Sequence, residues 1–266
     1  MENKSTIAVI NQKGGVGKTT TVINLATSLS ILGQNNLIID LDPQGNATTG
    51  LGRSNNDENN NIYNLLIKKI ELRDAIQKTD VKNLDIIGSN VNLSGLEVET
   101  ANDSDRAFVL KQILDKEKTG LISKYDNIFI DCPPSLSLLT IMALVASDEI
   151  LVPLQTEFFA LEGITQLVKT IDRIKINLNP ELKVRGILLT MFDKRNKLSS
   201  QVDKEARSYF KEKVYKTVIP RNVRLSEAPS HGMPVIFYDK TCPGSKSYIS
   251  FTEEFLAQEE SFETAA

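Results

Sequence analysis

The segment Lys13-Gly14-Gly15-Val16-Gly17-Lys18-Thr19-Thr20 brings three glycines, two lysines and two threonines into eight residues. Glycines let a backbone curl closely around a ligand, lysines bring positive charge, and hydroxyl oxygens suit hard cations. Together they describe a cradle for a phosphate chain. Gly17-Lys18-Thr19 is the end of the Walker A pattern, in which the lysine reaches the β and γ phosphates and the hydroxyl holds Mg²⁺. The start of that pattern is absent, because Gln12 stands where glycine is expected and a second lysine, Lys13, follows it. Phosphate chemistry with a metal also needs carboxylates at the ends of neighbouring strands. Asp131 closes the apolar run Ile128-Phe129-Ile130 in the Walker B form and is expected to face Mg²⁺ through water. In Asp40-Leu41-Asp42-Pro43-Gln44-Gly45-Asn46, strand alternation puts both aspartates on one face. Asp42 lies nearer the carboxyl end, where ligands sit, so it is the residue expected to position an attacking water.

The surrounding pattern must hold these groups at one edge. Thr6 to Ile10 reads as a strand running into the glycine loop, and Val22, Leu25, Ala26, Leu29 and Leu32 recur at helical spacing up to Gly33. Buried strands are predicted over 37–42, 84–88, 128–131, 149–153, 184–190 and 214–219, and helices around 62–69, 106–114, 136–146, 164–176 and 199–213. This alternation predicts an α/β fold: a single-domain P-loop NTPase with a mainly parallel twisted β-sheet flanked by helices on both faces. The domain is expected to span 1–256, leaving 257–266 as an acidic tail that frays. The insert from Gly52 to Asn61, with five Asn and no apolar residue, reads as a mobile surface loop.

Composition narrows the classes. With 266 residues, 41% of them hydrophobic, the chain can fill one large core. No run approaches the roughly 18 apolar residues of a membrane span, and no signal-peptide pattern follows Met1, so a cytoplasmic location is expected. Cys132 and Cys242 are too few for a disulfide framework or a zinc site of spaced pairs, and His231, in a Pro-Ser-His-Gly turn, reads as structural. The net charge of −3 argues against nucleic acid, yet Lys183 to Arg224 holds twelve Lys or Arg against four Asp or Glu. That stretch is either a polyanion-binding face or a solvated basic surface.

The paired lysines of Lys13 to Thr19 resemble the deviant Walker A loop of the ParA and MinD superfamily. Asp131-Cys132-Pro133-Pro134-Ser135-Leu136, Phe158-Phe159-Ala160-Leu161-Glu162-Gly163 and the stretch from Ile219 to Gly232 are similar to segments of chromosomal, Soj-type ParA proteins, and the likeness runs from Thr6 to about Leu256. The resemblance implies ATP and Mg²⁺ as cofactors, nucleotide contacts along Lys13, Gly14, Gly15, Val16, Gly17, Lys18, Thr19 and Thr20, and further contacts from Pro220 and Asn222. It implies an ATP-dependent homodimer in which Lys13 crosses to the other subunit's nucleotide, with slow intrinsic turnover. It also implies non-specific double-stranded DNA binding by Arg195 and Arg224, both inside the basic stretch, and hence association with the nucleoid. A ParB-like centromere-binding protein would stimulate hydrolysis. Two alternatives stand beside this reading: a positioning ATPase that keeps the mechanism and changes the cargo, such as a carboxysome or chemoreceptor array, and a rival within the superfamily, a MinD-like membrane ATPase. The second needs a basic amphipathic C-terminal helix, whereas this tail is acidic, so no membrane partner is expected.

Overall fold

Short β-branched and leucine-rich runs, apolar at consecutive positions, can only be strands covered on both faces. The computed structural model describes residues 4–157 and 160–263 and contains eight strands. They are β1 (Ser5–Val9), β2 (Asn36–Asp40), β3 (Ile76–Lys78), β4 (Leu84–Ile87), β5 (Asn127–Asp131), β6 (Glu149–Gln155), β7 (Lys183–Phe192) and β8 (Val214–Pro220). All belong to one sheet in the order β3-β4-β2-β5-β1-β6-β7-β8, parallel throughout except for β3 against β4. The expected strands are present. β3 was not expected: its three residues, Ile76-Gln77-Lys78, are only half-buried to exposed, so no apolar run announces it. β2 stops at Asp40, which leaves Asp42 beyond the strand.

Alternation along the strands feeds two cores. On β1, Ala8 joins one cluster, with Ile39, Ile130, Met142, Ile164 and Leu167, while Ile7 and Val9 join the other. The second cluster packs Val22, Leu25 and Leu29 of the helix Lys18–Ile31 against Tyr248, Phe251 and Phe255 of the closing helix Pro243–Glu263. Phe255 is fully buried, with Phe129 and Phe251 at ring-centroid distances of 6.4 and 6.1 Å and the Arg185 guanidinium 3.7 Å over its face. The closing helix continues past Leu256, and 264–266 lie outside the described residues, as do Phe158 and Phe159, which carry part of the family likeness. Among the described residues no helix is long and apolar enough to cross a membrane.

The asparagine-rich insert lies at the surface and carries a network of hydrogen bonds. Asp57 Oδ1 accepts from the N–H groups of Asn59 and Asn60 at 2.8 and 3.0 Å, and its carbonyl accepts from the side chains of Asn61 and Asn90. Asn61 also caps the helix Ile62–Leu66 by accepting from Asn64 N–H at 2.9 Å. Side-chain amides here replace the apolar contacts that the segment lacks.

Phe255→Ala removes a fully buried ring and is expected to lower the unfolding free energy by about 3–5 kcal/mol. Chemical denaturation measures it, and a loss below about 1 kcal/mol would mean that the closing helix contributes little to the core.

Candidate nucleotide site

From β1 the chain moves to β2 on one side, and from β5 it crosses to β6 on the other, so strand order reverses around β1. Crevices open at the carboxyl ends of parallel strands where this happens. A cavity of about 560 Å³ lies there. Its near wall is the glycine loop. Asn11 anchors that loop, donating to Pro153 O at 2.8 Å and accepting from Lys13 N–H at 3.0 Å. Gly15 and Gly17 have φ of +74° and +91°, conformations that side chains strain to adopt. Gly17 starts the helix Lys18–Ile31, whose first turn has no acidic residue to compete for its free N–H groups. Thr190, at the end of β7, steadies the loop by donating its hydroxyl to Val16 O at 2.8 Å.

Beneath the loop the groups are nearly dry. Lys18 is 6% exposed and donates to Lys13 O at 3.2 Å. Burial lowers its pKa, opposed first by the charge of Asp131. Asp131 ends β5, fully buried, in register with Val9 and Asp40. Burial, then the neighbouring Asp40, pushes its pKa well above the usual carboxylate range, against the Thr19 hydroxyl and Lys18, which favour the charged form. Neither of its oxygens completes a hydrogen bond. A buried carboxylate left this way beside a threonine hydroxyl and a lysine fits a hydrated divalent cation bound to phosphate. Asp42 is 7% exposed, lines the cavity, and accepts from Gln44 N–H at 3.0 Å.

Most of the expected nucleotide residues meet at this cavity: Gly14, Gly15, Gly17, Lys18, Thr19 and Thr20 on one side, Pro220 and Asn222 on the other. Asn222 Oδ1 is buried without a hydrogen-bond partner. Two expected contacts lie elsewhere. The Val16 side chain is buried in the protein, 2% exposed, so only its backbone serves the loop. Lys13 does not line its own cavity, and its half-exposed ammonium pairs with Glu157, just past β6. Arg221, between the expected contacts Pro220 and Asn222, also lines the cavity, as do Thr190, Met191 and Tyr248, which were not foreseen. Thr190 could have been found from its place at the carboxyl end of a buried strand. Tyr248, whose hydroxyl lies 3.1 Å from that of Thr21, sits in a helix without any motif.

Arg195 and Arg224 lie outside the cavity, the first in the turn after β7 and the second in the short helix Val223–Glu227 after β8; these segments adjoin because Phe192 pairs with Pro220 and Arg221 N–H donates to Phe192 O at 3.1 Å. Arg195 is held by both oxygens of Asp193, at 3.0 and 2.9 Å, which draws that carboxyl down to about 2. Arg224 pairs with Glu227 at 2.7 Å and approaches Asp239 at 3.6 Å. His231 stacks on Tyr238 with centroids 4.9 Å apart, both cysteines are buried and free, and the described residues contain no group of three or more His, Cys, Asp or Glu placed to hold a metal.

A glycine loop from a central parallel strand into a helix, above a carboxylate on the next strand, defines a P-loop nucleotide-binding fold. A family profile described as an AAA domain matches residues 4–184. The chain is 48% identical to the chromosome partitioning protein ParA of Caulobacter vibrioides, over 95% of this chain and 94% of that one. It is 49% identical to the sporulation initiation inhibitor protein Soj of Bacillus subtilis, over 94% and 98%. Among solved structures, cobyrinic acid a,c-diamide synthase of Mycobacterium smegmatis with ADP and magnesium superposes with a TM-score of 0.83 at 32% identity, covering 97% of this chain and 96% of that one. The chain belongs to the ParA/Soj family of chromosome-partitioning proteins.

The buried carboxyls make a pH prediction. Asp40 is pushed up to about 6 by burial, and Asp131 is raised as well, so the folded chain holds these protons more tightly than the unfolded one. On their account the stability contribution is full at and below the ordinary carboxylate pKa of about 4 and is lost as pH rises from there through the raised folded values. Asp131→Asn removes the buried charge. In the nucleotide-free chain it is expected to raise the melting temperature near pH 7.5 and leave it unchanged near pH 4. No gain near pH 7.5 would show that the carboxylate is already compensated.

Proposed function

We propose that the chain is a partitioning ATPase for a chromosome or plasmid, in which ATP and Mg²⁺ drive two copies into a sandwich dimer that holds non-specific double-stranded DNA. The observation that carries this reading is the unpartnered Asp131 carboxylate beneath the glycine loop, Lys18 and Thr19, in a chain of the ParA/Soj family. The ADP, ATP analogue and magnesium in the Mycobacterium smegmatis structures support the choice of ligand. Thr19 would hold magnesium directly and Asp131 through water, and the ion supplies neutralisation of phosphate charge. The loop N–H groups and the first helical turn bind the phosphate chain, and the Lys18 ammonium sits against the β and γ groups. Asp42 orients the attacking water. Pro220 and Asn222 close over the base, with the free Asn222 Oδ1 available to accept from an exocyclic amine.

Lys13 acts on the other subunit's nucleotide, a role supported by its absence from its own cavity and its outward pairing with Glu157. Hydrolysis is slow because a complete site needs a second copy, and a ParB-like partner stimulates it to reset the cycle. Arg195 and Arg224 exchange Asp193, Glu227 and Asp239 for DNA phosphates once dimerisation doubles their number, which keeps the dimer on the nucleoid in the cytoplasm.

Asp42→Ala is expected to bind Mg·ATP and dimerise while hydrolysing at least about tenfold slower, whereas Lys13→Ala binds nucleotide yet stays monomeric in light scattering. Parent-like turnover in the first variant, or an ATP-dependent dimer in the second, would remove the role assigned.

Arg195→Glu is expected to abolish ATP-dependent retention of duplex DNA and to leave ATP binding and dimerisation intact. In the parent, each phosphate contact contributes about −0.9 to the slope of log K against log salt. A variant that still shifts duplex of arbitrary sequence places the DNA face elsewhere.

A further inference from the structure

Asp40 is a carboxylate of the site floor to which no task has fallen. It ends β2, is fully buried, and stands in register with Asp131. Its oxygens accept from the Thr48 N–H at 2.8 Å, the Thr48 hydroxyl at 2.7 Å and the Asp42 N–H at 3.3 Å. Thr48 is the third residue of the short helix Asn46–Gly50, whose cap position is Gly45. Gly45 has no side chain to offer, and none would fit: its φ is +63°, and a Cβ would come within 3.2 Å of Ser89 O and 3.0 Å of Asn55 Cβ. A helix cap normally accepts from the third N–H of its helix. Asp40 makes that bond from a neighbouring strand. The Thr48 hydroxyl extends the chain of contacts by accepting from Ser89 N–H at 2.9 Å, just past β4. The segment tied down in this way carries Asp42, Asn46 and Thr49 to the cavity wall.

Resting on the ATPase reading above, we infer that Asp40 is a positioning residue for hydrolysis, anchoring the segment from Asp42 to Thr49 at both ends so that the Asp42 carboxylate stays aimed into the cavity. A carboxylate can accept from all three donors together, whereas an asparagine must turn its NH₂ toward one of them. That requirement accounts for a second buried carboxyl beside Asp131, where like charge is unfavourable.

The test compares the full-length parent with Asp40→Asn in Mg²⁺. A fluorescent ATP analogue is expected to bind within about threefold of the parent, while hydrolysis falls about tenfold, as the loss of a buried charge-assisted hydrogen bond at an anchor implies. Hydrogen exchange at the Thr48 and Thr49 amides should quicken, with or without nucleotide. Thr48→Val is expected to reproduce the slow turnover and Thr48→Ser to restore it, a rescue that keeps the test decisive if Asp40→Asn does not fold. Parent-like hydrolysis in Asp40→Asn or in Thr48→Val overturns the anchor, as does a loss of nucleotide binding equal to the loss of turnover. A parent that hydrolyses no ATP overturns the ATPase reading instead, and the exchange measurement then separates the two failures.

Discussion

Three carboxylates and one lysine share a floor that water scarcely reaches, and the rest of the molecule depends on keeping them there. Asp40 and Asp131 are fully buried, and Lys18 and Asp42 nearly so. Isolated charges in such a place would neutralise or pull the fold apart. They are tolerated because Asp40 and Asp131 hold their protons more tightly than free carboxyls, because Lys18 reaches in from the start of a helix, and because the open N–H groups of that helix face the same space. Asp40 is satisfied by protein donors and Asp131 is not, so the two equivalent strand ends differ in what their carboxyls have left to bind.

That division needs a stiff frame. The helix Lys18–Ile31 is buried on nearly every side, with the sheet beneath it and the closing helix along its flank, so the lysine at its head has little freedom to retreat. The end of β7 links the remaining parts. Thr190 holds the glycine loop, Met191 takes a φ of +52° at the cavity wall, and Asp193 and Arg195 follow at once on the surface. The cavity wall and the surface that carries Arg195 are thus separated by a few residues of one chain segment.

Much of this was legible in the residues themselves. The glycine loop, its two lysines and the apolar run ending in Asp131 carry their chemistry in their order, and buried parallel strands announce themselves by unbroken apolar stretches. The placement of Asp42 at the cavity followed from its position after such a run, although the strand ends two residues earlier. What was hidden depends on distant partners. Glu157 meets Lys13, Asp40 meets Thr48, and Tyr248 reaches Thr21 across 227 positions, and no local pattern encodes these meetings. In the asparagine-rich insert the hidden partner is Asp57, whose carboxylate accepts from the Asn59 and Asn60 N–H groups and whose carbonyl accepts from the Asn90 side chain.

The cavity draws its walls from both ends of the chain, since Gly14 to Thr20 is near the start and Pro220, Asn222 and Tyr248 are near the end. During synthesis the glycine loop leaves the ribosome first and waits. Its helix lacks the partner that buries its flank until the closing helix has emerged, and the far wall of the cavity is missing until then. A nascent chain, or one truncated before Tyr248, therefore carries the complete phosphate motif without the enclosure around it.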